Sequence, residues 1–293
     1  VRGIGLDVVH SHGFAAMGLK AKVVARKRNL PYLFTFHTMV PDVFRHQFAE
    51  GFEPRFFEWL FWRYMRLFLK RCDVTIYPSE WAKGRVVQGV RREFGRSVIL
   101  PTGLETDRYS EDESVPKDSP PNILHVGRVS REKNIETAID IFARLRREID
   151  VTLTVVGDGP GLAFYKEYAK KKGVWVNFAG FVEEERLIQW YRRSCMLLLP
   201  SRFETQGIVP LEAMACGLPV LAYGHPAFLE CWQDGEAGYF YDCVDDAVKK
   251  ARAIMQDARK FSQKARGRAE GFSVQRLTSR LLDVYQRAID ERR

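Results

Sequence analysis

Short, β-branched apolar runs alternate along the chain with longer stretches in which apolar residues recur every three or four positions. LDVVHSH (Leu6 to His12) reads as a buried strand and residues 14–28 as a helix. PYLFTFHT (Pro31 to Thr38) reads as the next strand. After a long aromatic helical stretch, DVTIYPS and SVILPTG read as two more. From Glu105 to Pro121 the chain is polar and proline-bearing with no apolar period, the pattern of a linker. Beyond it NILHVGRVS, VTLTVVGDG, WVNFAGFV, CMLLLPS and LPVLAYG are further strands, each separated by a helical pattern. Strand-helix alternation on both sides of a linker predicts an α/β protein with two doubly wound, Rossmann-like parallel sheets. The expected domains are 1–104, a linker over 105–121, and 122–272, with a final helix over 273–293 that packs back toward the first domain.

Composition narrows the classes. The 293 residues are 46% hydrophobic, enough for two domains that each bury a core. Cys72, Cys195, Cys216, Cys231 and Cys243 are odd in number and form no Cys-x-x-Cys pair, which argues against a disulfide framework or a zinc site and for a reducing cytosol. No apolar run reaches the roughly 18 residues of a membrane span, and no signal-peptide pattern opens the chain at Val1. The net charge of +9 is concentrated: residues 1–104 hold 17 Lys and Arg against 8 Asp and Glu, while the remainder holds 29 of each. The first third is therefore expected to meet an anionic partner, and an anionic membrane surface is one such partner. No nucleic-acid-binding module is recognisable, so nucleic acid is not expected.

In doubly wound sheets ligands sit outside the carboxyl ends of the strands. There FETQGIVPLEAMACG (Phe203 to Gly217) places a loop after the strand CMLLLP and starts a helix near Gly207, with Pro210 in its first turn where a missing N–H costs little. The free N–H groups of Gly207, Ile208 and Val209 then form an anion site at the positive end of the helix dipole. Glu204 and Glu212 flank it; carboxylates beside an anion are suited to hydroxyl groups. VGRVSREKN after the first strand of the second domain supplies Arg128, Arg131 and Lys133. A diphosphate held between cations and a helix N-terminus, with hydroxyl-rich groups at both ends, has the shape of a nucleoside diphosphate sugar.

With these pieces in view, the sequence resembles the retaining glycosyltransferases of family four, which have the GT-B fold of two Rossmann-like domains facing a cleft. The matching pieces, in family order, are HSHG, TFHT, YPSEWAKGRV, LPTGLETDRY, HVGRVSREKN, VVGDGP, FAGFV and PSRFETQGIVPLEAMACGLPVLA. The resemblance implies that Arg128 and Lys133 bind the donor diphosphate and stabilise the leaving group, and that Glu204 contacts the donor sugar. It assigns Glu212 to the ribose, the backbone of Phe181 and Val182 to the base, and His37 to a place facing the transferred sugar. It implies front-face transfer with retention and without a metal or other cofactor, in agreement with the lack of any Asp-x-Asp. It also implies strands and a glycine-rich loop ahead of Val1, so that the first domain is incomplete and the chain N-terminally truncated. Val274 stands where the family commonly has tryptophan.

His10 and His12 read as structural histidines, and GDGPG (Gly157 to Gly161) as a strand-to-helix turn. In RFFEWLFWRYMRLFLKR (Arg55 to Arg71) the spacing of Arg63, Arg66 and Lys70 puts three cations on one helix face, either against an anionic membrane or simply solvated. TFHTM followed by Asp42, together with ETQG, is most similar to the branch that glucosylates diacylglycerol-type lipids. The expected reaction is hexose transfer from a UDP-glucose-like donor to a membrane lipid, in the cytoplasm or at the inner face of the cell membrane. A soluble sugar or phosphorylated polyol as acceptor, and a non-catalytic module binding nucleotide sugar or anionic surfaces, are the alternatives.

Overall fold

The computed structural model describes residues 5–41, 54–112 and 114–292. Asp42 lies outside them. The described residues divide into two compact units, 1–103 with 274–293, and 104–273.

In the first unit, strands β1 (Val9–Ser11), β2 (Tyr32–Thr35), β3 (Val74–Tyr77) and β4 (Arg96–Ile99) form a parallel sheet in chain order. β1 is only three residues long and half-exposed, where the sequence predicted a buried strand from Leu6; among the described residues it pairs on one side only, with β2. Helix α1 (Ala16–Lys27) connects β1 to β2, helix α2 (Pro54–Leu69) precedes β3, and helix α3 (Glu80–Val90) follows it. α2 buries Phe61, Trp62, Met65, Phe68 and Leu69 at helical spacing, and its opposite side exposes Arg63, Arg66 and Lys70 together with Phe56, Trp59, Leu60 and Leu67. Among the described residues no helix is long and apolar enough to cross a membrane. The last helix, Val274–Asp290, belongs to this unit: Tyr285 bonds His10 at 2.7 Å, and Arg280 donates to the Ile99 carbonyl at 3.0 Å.

The second unit is a six-stranded parallel sheet in the order β10-β9-β8-β5-β6-β7. Its strands are β5 (Asn122–Val126), β6 (Thr152–Val156), β7 (Asn177–Gly180), β8 (Met196–Leu199), β9 (Val220–Tyr223) and β10 (Gly238–Tyr241). Counted within the unit this is the doubly wound order, and the direction of winding reverses between β5 and β8. The central strand β8 is wholly buried because both faces are covered: Leu197 and Leu199 enter one core, Met196 and Leu198 the other.

Two features differ from the sequence reading. The sixth strand, GYFY at β10, was not predicted; four residues between polar turns give too short a pattern to stand out, and pairing with β9 supplies what local propensity does not. Residues 105–121 are not a free linker but part of the second unit. Tyr109 is buried in its core, Arg192 donates to the Ser110 carbonyl at 2.9 Å, and Lys117 donates to the Arg192 carbonyl at 2.7 Å. A polar segment without periodicity is thus fixed by one aromatic anchor, by Arg192 on its Ser110 carbonyl and by its own Lys117 on the Arg192 carbonyl.

Candidate functional site

The reversal between β5 and β8 brings the two loops singled out in the sequence to the same end of the sheet. β5 leads into Gly127 to Ser130 and then a short 3-10 turn at Arg131–Lys133; β8 leads into Ser201 to Gln206. Asn134 ties them by donating from Nδ2 to the Pro200 carbonyl at 3.2 Å.

The β5 loop rests on the GDGPG segment, which does more than turn the chain. Val129 donates its N–H to the Asp158 carbonyl at 3.0 Å and accepts from Gly161 N–H at 2.9 Å. A Cβ on Gly157 would stand 1.9 Å from the Gly127 oxygen, and one on Gly159 would stand 2.4 Å from the Val129 oxygen. Only a backbone without side chains lets the two loops lie this close, and Gly157 also has a φ of 131°. These glycines fix Val129 in the core and leave its neighbour Arg128 exposed. Among the described residues the Arg128 guanidinium makes no ion pair.

Lys133 and Glu204 meet directly: Nζ lies 2.6 Å from Oε1, and the side chains are 22% and 18% exposed. The sequence kept the two apart, one on the diphosphate and one on the sugar. Their contact makes them a unit in which each orients the other, so a diphosphate and a sugar hydroxyl would be met by adjoining charges.

Helix α7 (Ile208–Ala215; α4 Ile135–Leu145, α5 Leu162–Lys171 and α6 Glu184–Arg193 precede it) opens at Gly207. That glycine has φ 93°, and a Cβ there would meet the Phe228 ring at 2.6 Å. The backbone N–H groups of Gly207, Ile208 and Val209 have no acceptor among the described residues, and Pro210 sits in the first turn. The end of the helix is therefore free to bind an anion.

Glu212 sits one turn further along. Its Oε2 accepts a hydrogen bond from the Tyr191 hydroxyl at 2.7 Å. Burial pushes the Glu212 carboxyl above the ordinary carboxylate range, the Tyr191 hydrogen bond offsets part of this, and the charge of Glu184 adds to the rise. Glu184 itself is held by the Tyr109 hydroxyl at 2.9 Å and by Arg108 at 2.7 Å. Sequence reasoning missed this tyrosine pair; at helix and loop positions far apart in the chain, neither carries a local signal. If nucleotide binding needs the Glu212 carboxylate, affinity falls as pH drops through its raised pKa. Tyr191→Phe removes a donor to the charged form and raises that pKa further. The acid limb of UDP affinity, measured by calorimetry across pH, is expected to move to higher pH in Tyr191→Phe; an unmoved limb would exclude Glu212 as the titrating group.

At the end of β7, Phe181 is 73% exposed and Val182 is packed in part against the core. Neither backbone N–H has a partner among the described residues. Gly157 donates to the Gly180 carbonyl at 2.8 Å, which places this segment beside the glycine turn.

In the first unit, His37 follows β2 and does not stand alone. Its Nε2 lies 2.8 Å from His12 Nδ1, and the His10 and His12 rings are 4.4 Å apart. His10 is anchored by Thr35 and by Tyr285, at 2.7 Å each. Burial, then the neighbouring His12 and His37, push His10 down to about 4, and burial followed by His12 lowers His37. His10 and His37 thus favour the neutral imidazole at neutral pH, able to accept or pass a proton. His10 and His12, read as structural, are part of the environment of His37. Pairing of His10 with Leu33 brings HSH and TFHT side by side, a register that no single run discloses.

The chain matches the glycosyl transferases group 1 family over residues 107–270 and glycosyltransferase family 4 over residues 1–108. It is 30% identical to the alpha-monoglucosyldiacylglycerol synthase of Streptococcus pneumoniae, over 80% of this chain and 56% of that protein. It is 27% identical to the sulfoquinovosyl transferase SQD2 of Arabidopsis thaliana, over 86% of this chain and 50% of that protein. Glycogen synthase of Mycobacterium tuberculosis is 30% identical, over 93% of this chain and 64% of that protein. The chain thus spans about half the length of the first two relatives. Two solved structures share the fold. Sucrose-phosphate synthase of Thermosynechococcus elongatus has a TM-score of 0.80 at 20% identity, covering 99% of this chain and 75% of that one. Anabaena HepE in complex with UDP-glucose has a TM-score of 0.79 at 18% identity, covering 96% and 78%.

Proposed function

The chain belongs to the glycosyl transferases group 1 family, has the GT-B fold, and from that premise we propose that it serves to move a hexose from a UDP-glucose-like donor to a membrane lipid with retention at the anomeric carbon. The observation that carries this reading is the joining of Lys133 to Glu204 at the winding reversal, beside a helix whose first N–H groups are unused. In the proposed reaction the acceptor hydroxyl forms a bond to the anomeric carbon on the face from which the diphosphate departs. The bond to the diphosphate oxygen breaks, and the acceptor proton passes to that oxygen. Arg128, Lys133 and the α7 N-terminus stabilise the charge that develops on the leaving group, and Glu204 holds the sugar hydroxyls. Glu212 receives the ribose, the Phe181 and Val182 backbone receives the base, and His37 faces the transferred sugar. The UDP-glucose held by the similar HepE fold supports the donor.

The lipid acceptor draws support from the names of the first two relatives and from α2, whose exposed side combines Arg63, Arg66 and Lys70 with Phe56, Leu60 and Leu67. Such a helix suits the plane of an anionic head-group layer. A soluble glycan is the second reading, favoured by the likeness to glycogen synthase. The deciding experiment supplies the whole protein that carries this chain with labelled UDP-glucose and either diacylglycerol in vesicles or soluble glucan and polyol acceptors. Label in an alkali-labile or glycolipid fraction supports the lipid; label only in soluble product moves the acceptor to the second reading, and no transfer from any nucleotide sugar overturns the enzyme.

Membrane attachment is tested separately. Each cation near an anionic leaflet contributes about 1 kcal/mol, so Arg63→Gln, Arg66→Gln and Lys70→Gln together are expected to weaken sedimentation with anionic vesicles by up to about 10²-fold, with the parent's binding falling as salt rises. A folded triple variant that binds like the parent removes α2 from the interface.

A further inference from the structure

Between α2 and α3 lies a cavity of about 320 Å³ lined by Arg55, Arg63, Arg66 and Arg91 and walled by Trp59 and Trp62, at the small end of ligand-site volumes of about 300–1,000 Å³. We propose that it is a discrete binding site for the phosphate of a lipid head group. This rests on the membrane reading above and adds to it a defined subsite, for none of these residues belongs to the donor machinery.

Four arginines line this cavity, and among the described residues none of them is held in an ion pair. Glu58 is the one carboxylate among the described lining residues, and it is engaged, accepting from Trp62 Nε1 at 3.3 Å. Like charges crowded on one cavity repel unless an anion joins them, and planar guanidinium forks match the oxygens of a phosphate. A Cβ on Gly89 would stand 2.2 Å from the Trp62 ring, so the glycine lets the indole lie flat against α3. The Arg63 guanidinium lies 5.9 Å from the Trp59 ring centre, which holds it by a cation–π contact.

The apolar neighbours select a lipid over a free phosphate. Phe56, Leu60 and Leu67 are 59%, 49% and 63% exposed. With Arg63 they follow the 4, 3, 4 spacing of one helix face, so the basic lining borders a row of side chains suited to acyl chains. A soluble phosphate has no use for that row. A bilayer would cover it while placing its phosphates level with the arginines.

A uniform basic surface would read only charge, whereas a built site reads phosphate. The test compares zwitterionic vesicles doped with phosphatidic acid against vesicles brought to the same surface potential with oleic acid. The parent is expected to bind the phosphatidic acid vesicles at least about tenfold more tightly. Arg91→Asn, which suits the left-handed backbone at Arg91 (φ 63°), should abolish that preference. Lys70→Gln, an exposed charge outside the cavity, should lower binding to both vesicles alike and keep the ratio. Should Arg91→Asn fail to fold by circular dichroism, Arg66→Gln makes the same comparison. Equal binding to both vesicles, or an equal effect of Arg91→Asn and Lys70→Gln on the ratio, overturns the site. Inorganic phosphate is the third arm: saturable binding as tight as that to vesicles, and unaided by a bilayer, overturns the lipid as its source. UDP binding by calorimetry is read alongside. Absence of UDP binding by the parent counts against the donor reading, and its retention in Arg91→Asn separates the two sites.

Discussion

Replacing Arg128 or Lys133 by Ala is expected to lower transfer turnover by about 10²-fold or more in the active enzyme, because each removes a fixed cation from a leaving group that gains charge as its bond to the sugar breaks. The two variants differ in what else they disturb. Arg128 is exposed and makes no ion pair among the described residues, so its loss removes one interaction. Lys133 is joined to Glu204 at 2.6 Å, so its loss also leaves a carboxylate unneutralised beside the diphosphate. Lys133→Ala should therefore be the more severe, and Glu204→Gln should cost less when added to Lys133→Ala than when made in the parent. Single-turnover rates for the four combinations measure this coupling. Parental rates in both Ala variants would remove these residues from the reaction, and strict additivity would show that the 2.6 Å contact has no energetic part in it.

The second large effect divides the glutamates by their surroundings. Glu212 is half-buried on α7 with one oxygen held by Tyr191, so its remaining acceptor capacity is directed and costly to leave unmatched. Glu212→Gln is expected to weaken UDP binding by about tenfold or more, the magnitude of a lost hydrogen bond to a charged acceptor. Glu204→Gln releases Lys133 from its partner and strengthens the positive field at the diphosphate. UDP binding should be unchanged or tighter in that variant while transfer of the sugar falls. Calorimetry with UDP alone reads both, and an equal loss of affinity in the two variants would mean that ribose and sugar are wrongly apportioned.

Strand-helix alternation in two units, the loops at the strand ends and the helix that opens at Gly207 follow from the sequence by itself, for local physical reasons. Buried parallel strands such as CMLLLP must be continuous in apolar residues, Pro210 is tolerated only in a first turn, and Gly207 and the glycines of GDGPG are needed where side chains do not fit. Periodicity also placed Arg63, Arg66 and Lys70 on one side of α2. Tertiary structure alone decided which of these pieces meet. Lys133 and Glu204 are 71 positions apart, and only the order β8-β5 makes them partners. His10, His12 and His37 cluster because β1 and β2 pair in one register, and Tyr191 reaches Glu212 from a different helix. Tyr109 draws a segment with linker composition into a core, and β10 exists because β9 offers it an edge. Local pattern records what each stretch must bury; contacts between distant polar groups depend on strand order and register, which leave no trace in the periodicity of either partner.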